Sequence, residues 1–452
     1  MLLTFLGAAG TITGSKYLLN TGRHKILVDC GLFLGDKALR LRNWSTFPVK
    51  PQEIDALIIT QAQIARSGYI PLLVKQGYRG PIYATPATIA LCDMMLPDSG
   101  YLQEVEAAQA NLHHYSKHDP ALPLYTKEDA IYALKQFVPI EFMQTHTILP
   151  HVTLQFYPAG HILGASIVEI EAENLCIVFT GDMGRSLDPL MRAPHILRSA
   201  DYLIVESAYG NRLIEDEEVT QRLTEIITDA IARGGTLLIP AFTAGSVPRV
   251  LYYLKQLTNM NLFTKIPIYI DSPIADNAID ILTHHKAELK VPVALCKAIF
   301  EIATKVNTID EFKDFVQHPN PKIIISASGM ATGGRILDYL QTFIMDPQNT
   351  ILFTEFQIEG TLGDKILRLE KEIKIQGQMY PVRAYIENIT ALAAHADYQE
   401  LLTWLHHFTC PPRHTFLTQG EQSATMLLKE RIEQTLHWPC SVPEYLDVES
   451  LN

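Results

Sequence analysis

The sequence predicts an α/β protein in which strand-rich flanks enclose a doubly wound α/β segment. Three observations carry this. Short apolar runs separated by Gly-rich and Thr-Gly turns open the chain over Leu2 to Asp29. From Glu53 strands alternate with helix-length segments, the signature of sheets covered by helices. After about residue 199 the strands become continuous apolar runs between amphipathic helices, as a doubly wound sheet requires. The chain has 452 residues, 47% apolar and 19% charged, enough for two to three domains with large cores.

Leu2 to Leu6, Ser15 to Asn20 and Lys25 to Asp29 read as an antiparallel start. Strand Ala56 to Thr60, a helix over Ile70 to Gln76, strand Ile82 to Ala84 and a helix from Pro86 follow. Ser99 to Leu134 is mostly helical and includes Asn111-Leu-His-His-Tyr-Ser-Lys-His-Asp119, whose histidines do not share one face and precede Pro120, so a solvated helix end is expected rather than a metal site. Strands Thr147 to Leu149, Val152 to Tyr157, Ser166 to Ile170 and Cys176 to Thr180 form a second run. The doubly wound unit is expected from Tyr202 to Glu206, through helix Glu217 to Arg233, strand Thr236 to Pro240, helix 245 to 257, and strands Ile266 to Ile270 and Lys322 to Ser326. Shorter strands (Thr350 to Phe353, Val382 to Ile386), helix Tyr398 to Phe408, strand Thr415 to Thr418 and a final helix close the chain.

Composition sets limits on function. Six cysteines (Cys30, Cys92, Cys176, Cys296, Cys410, Cys440) without a C-x-x-C pair indicate neither a disulfide framework nor a cysteine zinc knuckle, and a reducing cytoplasm is expected. Met1 to Leu19 is apolar but lacks a basic flank and is broken by Gly7, Gly10 and Gly14, so it reads as strand and turn. No stretch approaches the ~20 apolar residues of a membrane span. The formal charge of −12 opposes non-specific nucleic-acid binding by the whole molecule, yet permits a local basic groove.

Several strand ends carry polar residues suited to chemistry. Asp29 ends the third strand, His161 sits in Gly160-His-Ile-Leu-Gly164, Asp182 in Thr180-Gly-Asp-Met-Gly184, Glu206 in Glu206-Ser-Ala-Tyr-Gly210, and His395 in Ala394-His-Ala-Asp397. Taken singly, each reads equally well as turn chemistry. Ser328-Gly-Met-Ala-Thr-Gly-Gly-Arg335 is a Gly-rich turn opening a helix; Ser328, Gly329, Gly333 and Gly334 could present backbone N–H groups to a phosphate, with Arg335 adding charge. The most informative stretch is Ile58-Ile-Thr-Gln61-Ala-Gln63-Ile-Ala65-Arg66-Ser-Gly68, an apolar strand entering a polar turn.

These motifs, together with Asp271-Ser-Pro-Ile-Ala and Glu359-Gly-Thr-Leu-Gly, run in an order that resembles the β-CASP branch of the metallo-β-lactamase superfamily, and most closely its bacterial RNA-specific exonucleases. The resemblance implies an αββα sandwich at 1–199 and 359–452 with an inserted doubly wound β-CASP domain at 200–358. It also implies a two-zinc site, the ions roughly 3.5–4 Å apart and sharing a hydroxide that attacks a phosphodiester. Carried over by position, the ligands fall on Gln61, Gln63, Ala65, Arg66, His161, Asp182 and His395. Only the last three keep a ligand side chain, because amides bind zinc weakly, alanine has no donor and guanidinium stays protonated. Lys365, Asp338 and Gln419 also stand where relatives often have histidine, and Ala241 to Arg249 lacks the usual Arg and Gln-Glu.

Two readings follow. The first is a pseudo-nuclease that binds RNA or a catalytically active relative, with no cofactor, Asp182, His395 and Glu206 being vestiges of the catalytic centre. The second is a residual RNA phosphodiesterase holding one zinc on His161, Asp182 and His395. A homo-oligomer is compatible with either. Arg66 beside Asp182 and Asp29 is expected to replace the lost metal charge in a closed cleft, the alternative being an exposed arginine at a helix start.

Overall fold

The computed structural model describes all residues except 215–218, 243–244, 261, 264–265, 272–274, 307–310 and 312–320. Ser272-Pro273-Ile274 of the Asp271 motif, the 217–218 start of the expected helix and positions 243–244 of the Ala241 to Arg249 segment therefore lie outside the described residues. The chain forms two compact units, Met1–Leu213 with His395–Asn452, and Ile214–Ala394.

The first unit contains two seven-stranded sheets. One runs in the order Val448–Ser450, Leu2–Gly7, Lys16–Asn20, Lys25–Val28, Ala56–Ile58, Ile82–Ala84, Phe137–Pro139; its early pairs are antiparallel, and its pairs from Lys25–Val28 onward are parallel. The other runs Cys440–Ser441, His414–Thr418, Tyr202–Glu206, Leu175–Phe179, Ser166–Ala172, Val152–Pro158, His146–Leu149. Alternating apolar residues of both sheets meet in one core, including Leu3, Leu19 and Val28 from the first sheet and Phe156, Ile170 and Ile204 from the second. Across it the Tyr17 and Phe179 rings lie 5.6 Å apart and the Phe5 and Phe416 rings 5.3 Å apart. Burying this face fixes which ends of the strands carry the polar turns, since a one-residue slip would expose it.

The long helix Pro86–Leu112 starts at Thr85, whose hydroxyl accepts from Thr88 N–H, with Pro86 at the first helical position. It ends at His113, and the expected histidine-bearing helix end is exposed.

The second unit holds a six-stranded parallel sheet in the order Thr304–Lys305, Ile268–Asp271, Lys322–Ser326, Thr236–Pro240, Thr350–Phe353, Tyr385–Asn388. Its strands are continuous apolar runs such as Leu237-Leu-Ile239 and Ile323-Ile-Ile325, fully buried as a sheet covered on both faces demands. Two element assignments differ from the sequence expectation. Tyr202–Glu206, expected in the inserted domain, pairs with Leu175–Phe179 and His414–Thr418 in the first unit, and Tyr385–Asn388, expected in the C-terminal part of the sandwich, pairs with Thr350–Phe353 at the edge of the second unit's sheet. The local pattern of a buried parallel strand is the same in both sheets, so the choice of sheet is settled by long-range pairing alone.

Candidate functional site

The strand Ala56–Ile58 lies in parallel register with Lys25–Val28, which brings the strand end at Thr60 beside Asp29. Asp29 takes a left-handed φ of 58°, a conformation short polar side chains tolerate. Its carboxylate accepts from Thr60 N–H at 2.9 Å, Thr60 Oγ1 at 2.9 Å and Ser15 Oγ at 2.9 Å. Burial pushes the Asp29 carboxyl above the usual carboxylate range, against the opposing pull of Arg66 and these donors.

The turn after Thr60 is tied to the end of the third strand through its backbone. Ser15 N–H donates to Ala65 O at 3.1 Å, Cys30 N–H to Arg66 O at 2.7 Å and Leu32 N–H to Ile64 O at 2.9 Å. Gly31 allows this approach, because a Cβ there would collide with the Ala65 carbonyl. The short helix Ile64–Ser67 then directs Arg66 inward, 1% exposed. Its guanidinium grips Asp182 with two donors: Nη2 bonds to Oδ1, and Nε bonds to Oδ2 at 3.2 Å. Nη1 donates to Ser15 Oγ at 2.9 Å and reaches Asp29 Oδ2 at 3.4 Å. Gln61 Nε2 donates to Asp182 Oδ2, and Gln419 Nε2 reaches Ser15 Oγ at 3.4 Å.

Asp182 projects from a turn that needs Gly181 at φ 58°, where a Cβ would lie 2.9 Å from Ser166 O. His161 stands between Gly160 (φ 72°) and Gly164 (φ 74°), buried, with Gln63 Nε2 3.3 Å from its Nε2. His395 forms an antiparallel bridge with Gly184, and its ring lies 4.4 Å from that of His161. Glu206, fully buried at its strand end, accepts from Met183 N–H at 2.5 Å and contacts His395 Nδ1 at 3.0 Å, which orients the imidazole. One potential ligand atom from each of His161, Asp182 and His395 falls within 4.8 Å of the others.

The structure thus gathers Asp29, Gln61, Gln63, Arg66, His161, Asp182, Glu206 and His395 in one unit, while Ala65 contributes only its carbonyl. The sequence reading missed Ser15, Thr60 and the hydrogen bond from Gln419 to Ser15. Ser15 is a small hydroxyl after a Gly in a turn, and nothing local marks it.

In the second unit, Ser328–Arg335 follows strand Lys322–Ser326 at its carboxyl end, where doubly wound sheets place ligands. Ser328 Oγ lies 3.2 Å from Thr332 Oγ1, Gly329 packs against the Glu355 carboxylate, open space surrounds Gly333, and Gly334 takes φ 78°. Arg335 is paired with the buried Asp271 carboxylate at 2.7 Å, which also accepts from Tyr339 Oη at 2.6 Å.

The donor set does not fit the two zinc ions of the resemblance. Amides, a methyl group and a guanidinium stand at four of the positions where the resemblance places ligands, and the guanidinium already bonds to each Asp182 oxygen, so a metal cation there would compete with it for that carboxylate and meet like charge.

Residues 18–212 match the family model of a metallo-beta-lactamase superfamily domain, residues 247–366 a Beta-Casp domain, and residues 379–443 a Zn-dependent metallo-hydrolase RNA specificity domain. The chain is 30% identical to a ribonuclease of Thermus thermophilus, covering 95% of each chain. It is 28% identical to the transcription termination factor FttA of Methanosarcina mazei (96% of this chain, 69% of that protein) and of Methanocaldococcus jannaschii (98% and 71%). A crystal structure of an Enterococcus faecalis protein of unknown function shares the fold, with TM-score 0.54 at 12% identity over 100% of this chain and 99% of that one. By motif order, fold and these matches, the chain belongs to the β-CASP metallo-β-lactamase family of RNA-processing nucleases.

Proposed function

We propose that this member is a pseudo-nuclease, which binds RNA or a catalytically active relative without zinc-dependent cleavage. The supporting observation is the buried Arg66 guanidinium, bonded to both oxygens of Asp182 and reaching Asp29. Two carboxylates that zinc would neutralise in the family share one fixed cation instead, so the pocket holds its charge by covalent sequence rather than by a bound ion. The match to an RNA specificity domain and the ribonuclease relative support RNA as the ligand class. Ser328, Gly329, Gly333, Gly334 and Arg335 are the proposed contacts; with Arg335 braced by Asp271, backbone donors of the turn would carry much of a phosphate's binding.

Fluorescence anisotropy with labelled single-stranded RNA at low salt, in the presence of a chelator, tests this. Binding should persist without metal, weaken with Arg335→Ala and show a smaller salt dependence in that variant. Immeasurable affinity would shift the reading to a protein partner. The convergence of His161, Asp182 and His395 supports the second reading, a single-zinc phosphodiesterase, for which Asp182 would have to release Arg66. Zinc-dependent turnover abolished by His161→Ala would establish that reading and end the first.

A further inference from the structure

The short helix Lys37–Arg42 and the turn after it, in the first unit, stand apart from the rest of an acidic chain. Residues 36–50 carry four cations, Lys37, Arg40, Arg42 and Lys50, against the single acid Asp36, in a molecule whose formal charge is −12. Asp36 caps the helix start, its carboxylate accepting from Leu39 N–H at 2.8 Å. Lys50 is shared with Glu53 at 3.8 Å, whereas Lys37, Arg40 and Arg42 form no ion pair among the described residues. Lys37 and Arg40 are exposed, and so is Trp44, by 58%. The other two tryptophans of the chain, Trp404 and Trp438, are buried at 5% and 6%.

The backbone holds this indole outward. Phe33 N–H donates to Asn43 Oδ1 at 2.9 Å and Asn43 Nδ2 to Phe33 O at 2.8 Å, a buried clasp that fixes the end of the helix. Asn43 keeps right-handed helical dihedrals (φ −65°, ψ −23°), and Trp44 N–H donates to Leu41 O at 3.0 Å, so the turn carries on to Trp44. Lys37, Arg40 and Trp44 then recur at three and four residues along one side of it. Arg42 is braced on the flank, its guanidinium carbon 4.3 Å from the Tyr445 ring centroid and 5.5 Å from that of Phe33.

An exposed indole beside unpaired cations is the combination that a single-stranded nucleic acid takes up, a base stacking on the ring while phosphates meet the charges. An acidic peptide would use the cations and leave the indole idle. We propose that Lys37, Arg40 and Trp44 form a stacking platform for an unpaired base of RNA, a contact additional to the Ser328–Arg335 turn. RNA as the ligand class rests on the RNA-binding reading above, and the platform on the residues named here. From Lys37 to Trp44 the turn runs about 10 Å at ~1.5 Å per residue, room for one stacked base and its flanking phosphates. Such a contact selects unpaired strand and does not read sequence, since every base offers a π-face.

Titration of the full chain, in the presence of a chelator, with a single-stranded oligouridylate of about 12 nucleotides tests this, read by anisotropy of the labelled strand and by tryptophan emission. With Trp404 and Trp438 buried, RNA should quench wild-type emission through Trp44 and leave that of Trp44→Ala unchanged. Trp44→Ala should weaken binding about tenfold, and Trp44→Phe should keep most of the affinity. Lys37→Gln and Arg40→Gln should each lower the slope of log affinity against log salt by about 0.7, the value per phosphate contact on a single strand. All three positions are exposed, so circular dichroism and Tm should not move. RNA binding that these variants leave unchanged in affinity and slope overturns the platform and leaves the RNA-binding reading standing; no RNA binding by wild type at low salt overturns both. Equal quenching by polyglutamate overturns base stacking in favour of an acidic protein partner.

Discussion

Arg66 is the residue on which the site turns. A buried guanidinium bonded to one carboxylate and reaching a second balances part of a charge that would be costly alone, and removing it leaves both carboxylates buried with hydroxyl and amide donors only. Arg66→Ala should therefore lower the unfolding free energy by about 3–5 kcal/mol, measured by urea titration, where an exposed arginine would cost under about 1 kcal/mol. Adding Asp182→Asn should recover part of the loss, since it removes one stranded charge. A second residue-scale effect comes from Lys16, fully buried, donating to Gly31 O at 2.5 Å and lying 4.4 Å from the Phe33 ring centroid. Desolvation pulls its ammonium down to about 8 from 10.5, with the nearby Cys30 thiol opposing. Below pH 8 both folded and unfolded chains hold the proton, and the folded one bears the desolvation cost in full. Between pH 8 and 10.5 the unfolded chain holds a proton the folded chain has released, so stability rises with pH there, by roughly 3 kcal/mol from this group. Lys16→Met should flatten that rise and raise stability at pH 7.

At the scale of elements, the site depends on the turn 61–66 being held against the end of strand Lys25–Val28. Gly31→Ala should displace that turn, because the new Cβ meets backbone rather than a flexible side chain. A loss of about 3 kcal/mol, together with weaker coupling between Arg66 and Asp182 in a double-mutant cycle, is the expected result. Much of this was legible in the sequence. The Gln61-x-Gln63-x-Ala65-Arg66 spacing located the turn, and the Gly-flanked His161 and Asp182 located two more strand ends. Ser15 was not legible, because its role comes from two strands and a turn meeting in space. The sheet to which Tyr202–Glu206 belongs was likewise hidden, since an all-buried parallel strand has the same pattern in either sheet.

For the whole molecule, the family fold is kept, and on the proposed reading a charge network centred on Arg66 stands where the resemblance places zinc. No helix among the described residues is long and apolar enough to cross a membrane. The measurement that tests the central claim most directly is zinc content by mass spectrometry after the full-length protein is equilibrated with excess zinc and dialysed against a weak chelator, for wild type and Arg66→Ala side by side. With Arg66 holding Asp182, wild type should retain well below one zinc per chain. One or two zinc ions retained stoichiometrically by wild type, and lost with His161→Ala, would contradict the account.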